Sequence, residues 1–232
     1  MPIRALVFDV FGTLVDWRSG VAREVQRLLG SDHPGLDGGS LADAWRARYQ
    51  PSMEDVRAGR RAWIDLDTLH GESLDHVLGQ FGLSVSLGVR HELVLSWHRL
   101  DAWPEVPSAL ARLRERFLVA PLSNGHVALM VALARRNGIV WDAILGAEFA
   151  RDYKPKPEVY LEAVRALGCQ PAEVLLVGCH SSDLAAAAAC GLSTAHVARP
   201  DEHGPDRGET KPEVPVDFAA ADLSDLARQL NA

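Results

Sequence analysis

Four short stretches of this chain carry side chains able to attack carbon, hold an anion or move a proton. The first is Asp9-Val10-Phe11-Gly12-Thr13, which follows the apolar run Ile3, Ala5, Leu6, Val7, Phe8. Such a run reads as a strand covered on both faces of a parallel sheet. A carboxylate directly after it stands at the strand's carboxyl end, where open α/β sheets bind their ligands. Gly12 lets the chain turn sharply with backbone N–H groups near Asp9, a nest able to hold a substrate anion, and Thr13 adds a hydroxyl donor. The second stretch, Ser123-Asn124-Gly125, puts a hydroxyl and an amide at the end of Phe117–Leu122. In the third, Lys154-Pro155-Lys156-Pro157, proline stiffens the backbone before a helix that carries Tyr160. The fourth, Gly178-Cys179-His180-Ser181-Ser182-Asp183, follows Val174–Val177. Each also has an ordinary reading: Asp9 as a turn residue, Ser123 and Asn124 as a helix N-cap, Lys154 as a surface cation, Tyr160 as a half-buried aromatic, and Asp183 as a first-turn acid favoured by the helix dipole.

All four stretches meet on one edge only if the strands before them end together. From Trp103-Pro104 onward, strand patterns at Phe117–Leu122, Ala143–Gly146 and Val174–Gly178 alternate with helical ones, and Thr194–Val197 and Phe218–Ala220 are edge candidates. Alternation of this kind gives a parallel sheet with right-handed crossovers, an α/β core of Rossmann-like type. Between the first strand and the rest lies a block without any strand pattern. Its helices are expected around Val21–Leu29, around Leu41–Tyr49 with Ser40 and Asp43 as a capping box, around Arg60–Leu69, around Leu74–Phe81 and around Val89–Trp97. The expected division is a core of residues 1–14 and 101–232 with an inserted α-helical cap of residues 15–100.

The 232 residues suffice for a sizeable core, and 47% hydrophobic and 24% charged residues are ordinary for a globular chain. A net charge of −7 argues against a nucleic-acid footprint, which needs a basic face. Cys169, Cys179 and Cys190 are odd in number and lack metal-ligand spacing, so neither a disulfide framework nor a zinc site is expected. No signal-peptide pattern opens the chain and no apolar run is long enough to span a membrane, so a cytoplasmic protein without membrane partners is expected.

Asp-x-Phe-Gly-Thr-Leu after an apolar strand, with the three later stretches in order, resembles the haloacid dehalogenase superfamily. The resemblance covers nearly the whole chain. Most of that superfamily are magnesium-dependent phosphatases with a second Asp two residues after the nucleophile and an acid after the Gly of the fourth stretch; here those places hold Phe11 and Cys179. Both departures point to the L-2-haloacid dehalogenase branch. The resemblance then implies hydrolysis of short (S)-2-haloacids to 2-hydroxyacids with release of halide and without a cofactor or metal. Asp9 would be a covalent nucleophile supported by Thr13, with Lys154 keeping it ionised and Asp183 orienting water or Lys154. Ser123 would bind the substrate carboxylate and Asn124 the halide. Val10, Phe11 and Tyr160 would border the substrate, and Arg46 of the cap would draw off the halide, with Trp63 and Tyr49 as apolar lining. Residue type alone does not separate Arg46 from Arg48, Arg57, Arg60 and Arg61. His180 stands where the branch has an amide that positions water, and an imidazole can also take a proton. A homodimer through the cap is expected. The competing readings are a magnesium-dependent phosphatase of the same fold, carbon–nitrogen displacement through the same ester, and a catalytically idle binding protein.

Overall fold

The computed structural model describes residues 2–232. Six strands, β1 (Ala5–Phe8), β2 (Leu118–Ser123), β3 (Leu145–Gly146), β4 (Val174–Gly178), β5 (Ser193–Val197) and β6 (Phe218–Ala220), form one sheet in the order β3-β2-β1-β4-β5-β6. Every pairing is parallel. All four residues of β1 are buried because alternate side chains enter different layers. Leu6 and Phe8 join the apolar cluster on one face, and Ala5 and Val7 join the cluster on the other. Phe8 stands level with Pro121 of β2 and Val177 of β4. This register brings Asp9, the Ser123-Asn124 turn and the Gly178-Cys179 turn to one edge.

Five helices, α1 (Trp17–Leu29), α2 (Gly38–Ala47), α3 (Tyr49–Arg57), α4 (Leu66–Gln80) and α5 (Leu87–Val94), make up the helical block that follows β1. Of the remaining helices, α6 (Val106–Arg114) leads into β2, and α7 (Val127–Asn137), α8 (Ala147–Ala150), α9 (Pro157–Ala166), α10 (Ser181–Ala189) and α11 (Leu223–Gln229) lie between or after the later strands. The helical block shares one apolar cluster with a face of the sheet. Phe11 meets Trp97 edge-on at 5.7 Å, and Trp97 stacks on Trp17 at 6.2 Å and meets Trp45 edge-on at 5.6 Å. Offset and edge-on geometry of this kind adds to the burial of large rings.

Three local expectations are corrected. The N-cap of α2 is Asp37, whose carboxylate accepts from Gly39 N and Ser40 N; Asp43 instead pairs with Arg18. The segment Arg60–Asp65 is not helical, because α3 ends before Gly59, whose φ of +69° favours glycine, and α4 starts only after its own cap, Asp65. The expected third and fourth helices are thus a loop followed by a single α4. Finally, β5 lies inside the sheet, and β6 forms the edge.

Candidate active site

Asp9 sits at the floor of a cavity of about 740 Å³ between the carboxyl edge of the sheet and the helical block. Lys154 Nζ donates to Asp9 Oδ1 at 3.0 Å and to Asp183 Oδ2 at 2.6 Å, and Thr13 Oγ1 donates to Asp9 Oδ2 at 2.8 Å. Thr13 is itself fixed, accepting from Cys179 N at 3.0 Å. His180 Nδ1 stands 3.2 Å from Asp9 Oδ2. Burial is the largest influence on Asp9 and raises its pKa, yet the Lys154 charge, His180 and the Thr13 hydroxyl together hold the carboxyl well below the usual range. Burial likewise works against charge on Lys154, but Asp183 and Asp9 outweigh it and keep the ammonium protonated. The outcome is a permanently ionised, firmly held carboxylate, the state a nucleophile requires.

The opposite wall comes from the helical block. Arg46 reaches the cavity from α2 and lies over two aromatic faces, 4.1 Å from the Tyr49 ring centre and 5.2 Å from that of Trp17. Its Nη1 is buried without a hydrogen-bond partner. Arg57, Arg60 and Arg61 are each paired with a carboxylate, and Arg48 is exposed. Geometry therefore separates Arg46 from the other four where residue type did not. Cation–π contact holds the guanidinium in place while leaving N–H groups for an anion.

Asp9, Phe11, Arg46, Tyr49, Asn124, Lys154, His180 and Asp183 all line the cavity, whereas Val10, Thr13, Trp63, Ser123 and Tyr160 do not. Trp63, on the loop before α4, packs instead under the Arg151 guanidinium at 4.4 Å. Ser123 is wholly buried, with its Oγ accepting from Gly125 N at 3.0 Å in a local turn, and the N-cap of α7 is His126 rather than Ser123 or Asn124. Tyr160 lies behind the wall, where its hydroxyl donates to Asp183 Oδ1 at 2.6 Å, and Val10 is buried in the core. The Asn124 carbonyl accepts from Lys154 N at 2.9 Å, which orients the amide beside the cavity.

Sequence reasoning missed the segment after β5. Glu202 is buried against Gly12, where a Cβ would overlap its carboxylate and where φ is +88°. Its two oxygens lie 3.0 Å from His180 Nε2, and Trp17 Nε1 donates to Oε1 at 3.0 Å. Burial raises the pKa of Glu202, but the hydrogen bond and charge of His180 bring it down to about 2. His203 and Arg207 of the same segment stand at the mouth. The only signal available was the charged run Asp201-Glu202-His203, which reads as solvated loop.

The donor set does not suit the magnesium ion used by most of the superfamily. Lys154 already bridges the two carboxylates, Asp9 and Asp183, that would have to share it, and the acidic place after Gly178 holds a buried thiol. Asp9, Cys179 and His180 are mutually close, but their contacts are accounted for by hydrogen bonds within the site. Asp67, His98 and His126 form another compact group outside the cavity, with His98 Nε2 2.9 Å from both Asp67 oxygens.

Residues 3–191 match the haloacid dehalogenase-like hydrolase family. Over 200 residues the chain is 31% identical to (S)-2-haloacid dehalogenase 4A of Burkholderia cepacia, covering 85% of this chain and 84% of that one. A solved structure of a defluorinating L-2-haloacid dehalogenase is 42% identical with a TM-score of 0.96, covering 99% of this chain and 96% of that one. The L-2-haloacid dehalogenase of Xanthobacter autotrophicus, solved with chloropropionic acid covalently bound, is 30% identical with a TM-score of 0.84 and 99% of both chains covered.

Proposed function

The chain belongs to the haloacid dehalogenase-like hydrolase family, and we propose that it hydrolyses short (S)-2-haloacids, haloacetates included, to 2-hydroxyacids through an ester on Asp9, without a metal ion. One observation carries the reading: a buried, ionised carboxylate faces, across an aromatic-walled cavity, a guanidinium whose buried Nη1 has no partner. The carboxylate is placed to attack carbon. The guanidinium is free to draw off the anion that leaves.

In the proposed cycle, Asp9 attacks the α-carbon in line and the carbon–halogen bond breaks towards Arg46. Water then attacks the Asp9 ester carbonyl while His180 takes its proton. Lys154 supports the charge on Asp9 before attack, and Asp183, held by Tyr160 and Lys154, keeps that ammonium in position. Three acids, Asp9, Asp183 and Glu202, stand beside three cations, Lys154, His180 and Arg46. A substrate with a single negative charge therefore meets no net repulsion, and Arg207 at the mouth favours its entry. Phe11 supplies an apolar surface where a phosphatase needs a proton donor for a departing alcohol. A charge held about 4 Å from the leaving group contributes roughly 4 kcal/mol at an effective dielectric near 20, about a thousandfold in rate.

The same reading treats residues 15–100 as a cap over a core of residues 1–14 and 101–232, and it includes a homodimer formed through that cap, to be checked by light scattering. It also places the protein in the cytoplasm, consistent with three free cysteines. No helix among the described residues is long and apolar enough to cross a membrane. The test of activity is halide release from chloroacetate, fluoroacetate and the two 2-chloropropionate enantiomers in excess chelator. Release from the (S) enantiomer with chelator present is expected. Activity confined to phosphate esters and restored by magnesium would replace this reading with the phosphatase one.

A further inference from the structure

Resting on the dehalogenase reading, we propose that Glu202 is the positioning residue for His180, and that the line Asp9–His180–Glu202 makes water activation wait for ester formation. The imidazole lies between two carboxylates, Nδ1 at 3.2 Å from Asp9 Oδ2 and Nε2 at 3.0 Å from both oxygens of Glu202. Glu202 is 2% exposed and is oriented by the Trp17 indole N–H. Holding Nε2–H on Glu202 leaves Nδ1 as the nitrogen that faces the reacting carboxyl. The arrangement has the logic of a nucleophile, a base and a buried acid that orients the base, with the base here serving the second step.

Other charged and titratable groups surround this line. Cys179 of the β4 turn lies 3.5 Å from His180 Nε2, Lys154 bonds Asp9 from the far side, and His203 stands 3.5 Å from Glu202. From β5, His196 faces Glu209, and Arg46 approaches Glu202 from the helical block. None of these changes charge in the cycle; Asp9 does. Burial opposes charge on His180, but its Cys179, Asp9 and Glu202 neighbours outweigh it and raise its pKa well above the ordinary imidazole value, so the resting ring is a cation and no base.

Attack forms a bond from an Asp9 oxygen to the α-carbon, and the halide leaves with the electron pair of the broken carbon–halogen bond. Asp9 is now a neutral ester, His180 has lost one of its two counter-charges, and its Nδ1 proton passes to solvent. Neutral Nδ1 next takes a proton from water as the water oxygen bonds to Asp9 Cγ. The bond from Cγ to the substrate oxygen breaks as that oxygen takes the remaining proton of the attacking water, and the hydroxyacid leaves. Asp9 returns to carboxylate and His180 to imidazolium. One water is consumed, and one halide and one proton are released.

The test begins with wild-type enzyme at about pH 8, with stopped-flow indicator dye beside rapid-quench halide and product assays. Proton release should accompany the halide burst and precede hydroxyacid; proton release in step with hydroxyacid would overturn the coupling. Glu202→Gln should keep the first-turnover halide burst within about threefold, lower steady-state turnover by roughly 10²-fold, and let the Asp9 ester accumulate in intact-protein mass spectra. The acid limb of its turnover profile should move down by about one pH unit, and Glu202→Asp should recover part of the loss. An unmoved acid limb, or a burst that falls as far as turnover, would leave Glu202 a structural anchor and overturn the proposal. Wild type that releases no halide from any 2-haloacid would instead remove the dehalogenase reading itself.

Discussion

The two walls of the cavity hold charge in opposite ways. On the sheet side, the oxygens of Asp9, Asp183 and Glu202 are met by an ammonium, a hydroxyl, a phenol, an indole or an imidazole. On the side of the helical block, Arg46 is held by the faces of Tyr49 and Trp17, and one of its nitrogens meets nothing. A fully met carboxylate keeps one geometry and needs little reorganisation during attack. A cation held by ring faces keeps its N–H groups for a charge that appears only as the carbon–halogen bond breaks. In the proposed cycle this difference divides the labour: the sheet fixes the attacking group, and the helical block receives the leaving one.

The sharpest way to break this division is Asp9→Asn, which should lower steady-state halide release from chloroacetate by at least about 10⁴-fold, since an amide cannot form the ester. Arg46→Ala should follow at roughly 10³-fold in the same assay, with Arg48→Ala within about twofold. Comparable loss from Arg48→Ala with Arg46→Ala nearly silent would mean that the receiving wall is wrongly assigned. Tyr160→Phe removes one bond to Asp183 and leaves Lys154 in place, so a loss of about tenfold in kcat is expected. The smallest effect expected is one of pH. Because the Asp9 pKa is lowered from 3.8, the ionised form persists below the value at which an ordinary Asp would protonate. The first-turnover halide burst should accordingly stay constant from neutral pH down to about pH 4. A burst that halves on the way would show Asp9 protonating in the ordinary range.

The sheet side was largely legible because its determinants are local. A strand buried on both faces is written as an unbroken apolar run. Asp9 and Asn124 follow β1 and β2 directly, Asp183 lies in the first turn of the helix after β4, and Lys154 stands just before the prolines that lead into α9. The helical block was less legible. Apolar spacing suggested a helix through Trp63, but the chain breaks at Gly59 and turns that indole onto Arg151, away from the cavity. For Ser123, only the fold reveals that its Oγ accepts from Gly125 N, a local bond that residue type did not indicate. Glu202 was invisible because its burial comes from a segment folding back over Gly12, a contact nearly two hundred residues apart in sequence that charge patterning renders as solvated loop.

The central claim, that Asp9 attacks carbon and water attacks Asp9, is tested most directly by one turnover in heavy-oxygen water with enzyme in excess over (S)-2-chloropropionate. Tryptic mass spectrometry should find the label in the peptide bearing Asp9, with the first equivalent of hydroxyacid unlabelled. Label in that first hydroxyacid and none in Asp9 would mean that water attacks carbon, and would contradict the account.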